Sequence, residues 1–211
     1  MNWNDFRKLH PYLPKASDGY HQHENGGGWV QDTAHVHPHA MVGNKALVYG
    51  IARVYGEAQI FGKAQVYEEA QVYGKAVVYD EAQIYGKAQV SGKAEVCGEA
   101  RIYGRARVYG DAQIYDKVRI YGDAQVCGGE IDRTPILILG SQYQIGFSRP
   151  GYIVSGCIEN PIEWWLENVE RCAEEHGYTK AEQKEYRLHV EHIVAWMKLY
   201  GLDSSITQHK L

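Results

Sequence analysis

The 211-residue sequence is short of several things, and each absence excludes a class of function. It has no excess of one charge: 22 Lys and Arg stand against 26 Asp and Glu, for a net charge of −4. A chain that neutralises many phosphates carries a basic patch or stripe, so duplex nucleic acid is not an expected partner. No apolar run approaches the roughly 20 residues that span a bilayer, and no signal peptide opens the chain. The expectation is a soluble cytoplasmic protein with no membrane partner. The four cysteines, Cys97, Cys127, Cys157 and Cys172, show no C-x-x-C spacing. They are expected to be free thiols in a reducing compartment. Histidine is missing between Ala40 and Val126, which removes the commonest general base from the middle of the chain.

What fills that stretch is a repeat of period six. Val or Ile recurs at every sixth residue from Val30 to Val126, seventeen positions without a slip. Ala follows four later almost every time, from Ala34 to Ala124, with Val118 the one substitute. The commonest unit is V-Y-G-K-A-Q. Side chains of a strand alternate faces, so Ala and Val point one way, Gln and Tyr the other. Gly then turns the chain, because it tolerates positive φ. Glu68, Asp80 and Asp116 replace it at three corners, and Asp is among the next best residues there. A helix is excluded, since Gly every six residues would cost about 1 kcal/mol each. Three hexads make a coil of 18 residues, and coils stack about 4.8 Å apart.

This pattern resembles the left-handed parallel β-helix of hexapeptide-repeat proteins, and that fold is expected over residues 30–130. Such proteins typically form parallel trimers, so the resemblance implies a homotrimer. Residues 1–29 are expected to cap the first coil, with Trp3, Phe6, Leu9, Tyr12 and Leu13 as a plug. Residues 131–158 read as a β capping segment, in which Ile131, Ile136 and Ile138 cover the last coil. Residues 159–211 read as an αα-hairpin. Its first helix is expected to start at an Asn160 cap before Pro161, and its second at the capping box Thr179–Glu182.

Residues 18 apart share a column. One outward column is Tyr49, Tyr67, Tyr85, Tyr103 and Tyr121, an aromatic ladder. Another outward position is mostly Gln, and against it Arg101, Arg107 and Arg119 stand out. Arg105 and Lys117 have opposite charges in their columns, Asp123 and Glu99; those three arginines do not. Arg beside aromatic rings suits a phosphate-bearing planar ligand. The expected binding residues are therefore Arg101, Arg107, Arg119, Tyr85, Tyr103 and Tyr121. Trp164 and Trp165, whichever stays exposed, are the expected partner anchors on the hairpin.

The histidines cluster early. His35 and His37 flank the inward Val36 and point outward, His39 sits at the corner, and His21 and His23 fall on one side if that segment is extended. As a metal site, His21, His23, His35 and His37 would take zinc. The hexapeptide-type carbonic anhydrases place further histidine about two coils away, where this chain has Gln71 to Lys75. As a general base, His35, His37 or His39 would make the chain an acyltransferase using acetyl-CoA.

The order of pieces resembles phage and prophage hexapeptide proteins: His21-Gln22-His23, then Gly26 to Val30, the coils, Gly156-Cys157, Trp165 to Asn168, and His176 to Thr179. The resemblance implies a non-catalytic trimer that interferes with a host system, by binding a host protein or a nucleotide-like anion, with no cofactor. The acyltransferase is the alternative.

Overall fold

The computed structural model describes residues 1–131, 135, 137–156 and 158–203. Ile136 and Cys157 therefore lie outside the described residues. The chain divides into two compact units. The first is Met1–Asp123 with Cys127–Thr134; the second is Ala124–Val126 with Pro135–Leu211.

The first unit is a β-solenoid of about six turns. Its strands form three parallel sheets in which every third strand is a neighbour. The register is the coil length read from the sequence: Val48 pairs with Val66, Val54 with Val72 and Ile60 with Val78. Each hexad contributes a strand of two or three residues, such as Gln83–Ile84 or Arg107–Tyr109. The Val and Ile column from Val42 to Val126 is at most 1% exposed, and the Ala column from Ala40 to Ala112 is equally buried. Each buried Val or Ile contributes on the order of 1.5–3 kcal/mol relative to exposure. Because each coil touches only its neighbours, stability accumulates along the stack.

The corners explain the glycines. Gly56, Gly74, Gly92 and Gly110 stack in one column, each with φ near +70°. A Cβ on Gly56 would lie 3.0 Å from the carbonyl oxygen of Gly74 above it. Glu68, Asp80 and Asp116 adopt the same left-handed conformation, with φ of 59°, 59° and 55°. Two of them use their carboxylates in return. Glu68 Oε2 accepts from the Gly86 N–H at 2.8 Å, and Asp80 Oδ2 from the Gly98 N–H at 3.3 Å.

The register departs from 18 once among the described pairs. Ile114 sits beside Ile131 rather than residue 132, so the last turn is one residue short. The Gly128-Gly129 pair, both at φ near +80°, makes that tighter turn. Ile131 is buried there, as expected of it.

At the other end, helix α1 (Trp3–Leu9) starts at an Asn2 cap, whose side chain accepts the Asp5 N–H. Trp3, Phe6 and Leu13 pack with Trp29 and Leu47. Leu9 is only half-buried and Tyr12 is 57% exposed, so two of the five expected plug residues stay outside it. The strand Tyr20–Gln22 adds antiparallel to Trp29–Gln31.

The second unit holds a four-stranded antiparallel sheet and two helices. Leu137–Leu139, Gln144–Arg149, Tyr152–Ser155 and Ile158–Pro161 are its strands in order. Ile138 pairs with Ile145 in this sheet. The fourth strand was not expected from the sequence, and it moves the helix start. Asn160 pairs with Ile153 as a strand residue, so it is not the cap. Helix α2 (Ile162–Glu175) has Pro161 at its N-cap with no side-chain bond. Helix α3 (Lys180–Leu199) starts at the expected box, with Thr179 and Glu182 exchanging both bonds. The two helices pack together, burying Trp165, Val169 and Ala173 of one and Tyr186, Val190, Ile193 and Met197 of the other.

Candidate functional site

The tyrosine ladder forms as the column rule requires. Ring centroids are 4.8 Å apart for Tyr49 and Tyr67, 5.0 Å for Tyr67 and Tyr85, 4.9 Å for Tyr85 and Tyr103, and 5.5 Å for Tyr103 and Tyr121. The planes are within 18° of parallel throughout. Shorter stacks occupy the other faces, Tyr55 on Tyr73 and Phe61 on Tyr79. This spacing has a chemical consequence. Rings in parallel contact cover one another's faces, so a planar ligand cannot enter between them. The ladder presents ring edges and hydroxyls instead.

Those hydroxyls lean to the next coil. Tyr55 and Tyr67 donate to Oε1 of Gln71 and Gln83, each sixteen residues on, at 3.2 and 3.5 Å. The glutamine column thus serves as acceptor for tyrosine. Where Gln gives way to Arg101, the partner is lost and a cation takes its place. Burial raises the Tyr67 phenol to about 12, with the Tyr85 and Glu68 charges adding to it and Arg101 opposing. Tyr85 is also raised by burial, against the pull of Arg101 and Arg119. Tyr67 and Tyr85 are therefore neutral donors at ordinary pH.

Arg101 pairs in register with Arg119 on one side and Gln83 on the other. Both arginines are exposed. Arg107 is exposed on a different sheet, beside Gln89, so the three expected arginines do not form one site. Neither Arg101 nor Arg107 makes a hydrogen bond or ion pair among the described residues. The corner charges behave differently. Arg105 donates to Asp123 at 2.7 Å, Lys117 lies 3.4 Å from Glu99, and Lys63 donates to Glu81 at 2.7 Å. Such exposed pairs contribute little to stability, but they balance the charge of the corner columns.

The histidines separate. His23 is buried, with Nε2 against the Ala40 carbonyl at 2.9 Å. His21 is exposed and meets Asp32 at 2.8 Å. The two do not share a side, because the strand ends at Gln22. His21, His35 and His37 line a shallow groove of about 410 Å³ with Arg53 and Tyr55. No three His, Cys, Asp or Glu side chains converge to hold a metal ion among the described residues. The His37 and His39 rings meet edge to face at 5.0 Å. The His39 N–H donates to His37 Nδ1 at 3.3 Å. That bond puts the proton of neutral His37 on Nε2, which makes it a donor to the groove rather than a base.

In the second unit, Trp165 is 2% exposed and its Nε1 donates to the Ile153 carbonyl at 2.8 Å. It is a core residue and not a surface anchor. Trp164, edge-on to it at 5.2 Å, is half-buried. Trp165 also lines a cavity of about 330 Å³ that the sequence did not announce. The signal was present only in part: Val169, Cys172 and His176 follow Trp165 on one side of α2.

Residues 100–112 and 112–128 match the family described as YdcK Beta solenoid repeat. It is a β-solenoid repeat protein. The match lies on the coils that carry Arg101, Arg107 and Arg119. No curated protein and no solved structure matches the chain. No helix among the described residues is long and apolar enough to cross a membrane. Cys97, Cys127 and Cys172 are free thiols. Burial raises the Cys97 and Cys172 thiols, which disfavours thiolate chemistry at either.

Proposed function

We propose that this solenoid is a non-catalytic binding protein that holds the acidic surface of another protein against the Tyr49–Tyr121 face. The observation that carries the proposal is the stacking of Arg101 on Arg119. Like charges directly opposite in a ladder are destabilising, and an anionic partner at the exposed Arg101 would offset that repulsion. The neutral phenols beside them supply further donors, and rigid aromatic side chains with Arg are enriched at interfaces. A flat face several coils long suits a protein surface better than a small ligand, and neither of the two cavities described lies on it. Homotrimeric assembly, which the resemblance to hexapeptide proteins implies, would repeat the face three times. The resemblance to phage proteins would make the partner a host protein in the host cytoplasm.

Native mass spectrometry of protein purified gently from cells tests assembly and bound mass together. The expected result is a trimer that retains a protein partner. Arg101→Glu with Arg119→Glu is expected to release that partner while leaving the homo-oligomer mass unchanged. Retention of the partner by the charge-reversed protein refutes the assignment of the face, and a monomer refutes the trimer. A retained mass of nucleotide size would instead identify a small anion as the ligand.

A further inference from the structure

The cavity of the second unit has its own chemistry. Its volume, about 330 Å³, falls at the lower end of ligand pockets, which run from about 300 to 1,000 Å³. Four of its walls are aromatic: Trp165 and Tyr143, Tyr178 and Tyr186. Tyr178 meets Tyr186 edge to face at 5.1 Å. Gly156 lies beside the Tyr143 ring, whose carbons would be in ordinary contact, 3.9 Å, with a Cβ there. Val169, Ala173 and Ile158 complete the apolar lining.

No Lys, Arg, Asp or Glu lines it. The polar groups are hydroxyls, one thiol and one imidazole. Burial and the charge of Glu175 raise the Cys172 thiol, and burial raises the Tyr178 phenol. The Tyr186 hydroxyl is already spent on the backbone of Tyr143, donating to its carbonyl and accepting from its N–H at 2.5 Å. Ser155 donates to the Gln144 carbonyl at 3.3 Å. The decisive group is His176. Its Nδ1 lies 2.8 Å from the Cys172 carbonyl. A carbonyl only accepts, so Nδ1 carries the proton and Nε2 of the neutral ring carries a lone pair. Nε2 makes no bond among the described residues.

A cavity with aromatic walls, no Lys, Arg, Asp or Glu in its lining and one unengaged imidazole nitrogen at its rim has a defined complement. We infer that the second unit binds a neutral planar aromatic molecule of one or two rings bearing an N–H or O–H donor, with its ring against Trp165 and its donor on His176 Nε2. A charged ligand would lose its hydration with no counter-charge in the lining. A saturated chain would forgo the edge-to-face and offset contacts the aromatic walls offer.

Indole is a suitable probe of this class. Saturation-transfer NMR on the full chain, with titration, would compare indole, 1-methylindole and indole-3-acetate. Indole is expected to bind, 1-methylindole at least fivefold more weakly for want of its donor, and indole-3-acetate at least tenfold more weakly. Ala173→Leu fills the cavity and is expected to abolish binding. His176→Ala, at the exposed rim, is expected to leave the fold intact and erase the difference between indole and 1-methylindole. Absence of indole binding at millimolar concentration overturns the inference. So does equal affinity of wild type for indole and its N-methyl form, or full affinity in a folded Ala173→Leu protein. Arg101→Glu is expected to leave indole binding unchanged, which separates failure here from failure of the solenoid face.

Discussion

Two consecutive corners of one coil give a sharp test of what glycine does in this solenoid. Gly56 and Gly62 have φ of +72° and +64°. A Cβ in that conformation costs about 1–2 kcal/mol at either. Their neighbours differ. A Cβ on Gly56 would meet Gly74 at 3.0 and 3.1 Å, whereas one on Gly62 would meet the Asp80 nitrogen at 2.6 Å and its Cα and oxygen at 2.9 Å. The coils cannot simply part there, since Lys63 N–H bonds Asp80 O at 2.6 Å and Phe61 N–H bonds Val78 O at 3.0 Å. Overpacking against fixed backbone costs about 1–3 kcal/mol. Gly56→Ala is therefore expected to cost about 1–2 kcal/mol and Gly62→Ala roughly 2–5 kcal/mol, summing the two terms. Urea unfolding followed by far-UV circular dichroism measures the difference, and amide exchange at Lys63 localises it. Equal losses for the two alanines would refute the claim that the stacked backbone and not φ alone demands glycine.

Three further outcomes are expected. Burial raises the Tyr67 phenol to about 12, so its neutral form stabilises the fold fully below the unfolded value near 10. That stability is lost as pH rises toward about 12, and an alkaline melting series should flatten in Tyr67→Phe. His10 is 1% exposed, and its pKa is lowered by burial, with Lys63 adding to the effect and the Lys45 carbonyl opposing it. Its contribution is present above the unfolded value of about 6.5 and falls away as pH drops below it. Amide exchange at Leu13, bonded to the His10 carbonyl at 3.1 Å, should quicken in that range and lose its pH dependence in His10→Gln. Trp165→Phe removes the Nε1–H bond to the Ile153 carbonyl, and a lost hydrogen bond costs about 0.5–1.5 kcal/mol, readable as a lower melting temperature of the second unit.

The solenoid was legible because one position of the hexad decides each property. Val or Ile must point inward, Ala must fit beside it, and the corner must tolerate positive φ. The aliphatic column shows this at Val54, Val72 and Val90, all fully buried. The corner acids were legible too, although their use was not. That Glu68 would reach the Gly86 N–H depends on a neighbour eighteen residues away. The second unit was harder because its strands have no period to fix their ends. Ile158–Pro161 contains Glu, Asn and Pro, which read as a helix entry, yet pairing with Tyr152–Ser155 holds it extended. The two tryptophans looked alike in sequence. Only the packing of α2 on the sheet decides that Trp165 is inside and Trp164 half outside.

In a stack of this kind, departures from the column rule carry more information than the rule. Val77 and Ser91 interrupt their outward columns without adding charge. Arg53 stands between His35 and Gln71, and Arg107 beside Gln89. Arg101 on Arg119 is different, being the like-charged pair in strand register among the described pairs. The corner columns also bring like charges together, as in Lys87 and Arg105, but there an acid closes each end, Glu69 at one and Asp123 at the other. Arg101 has neutral Gln83 on its far side. The corner columns balance their charges along the stack, whereas Arg101 and Arg119 set two like charges in adjacent coils beside the tyrosine ladder. The cost is small in water, about 1 kcal/mol for unit charges at 4 Å, and a partner that brings carboxylates to this face would reverse its sign.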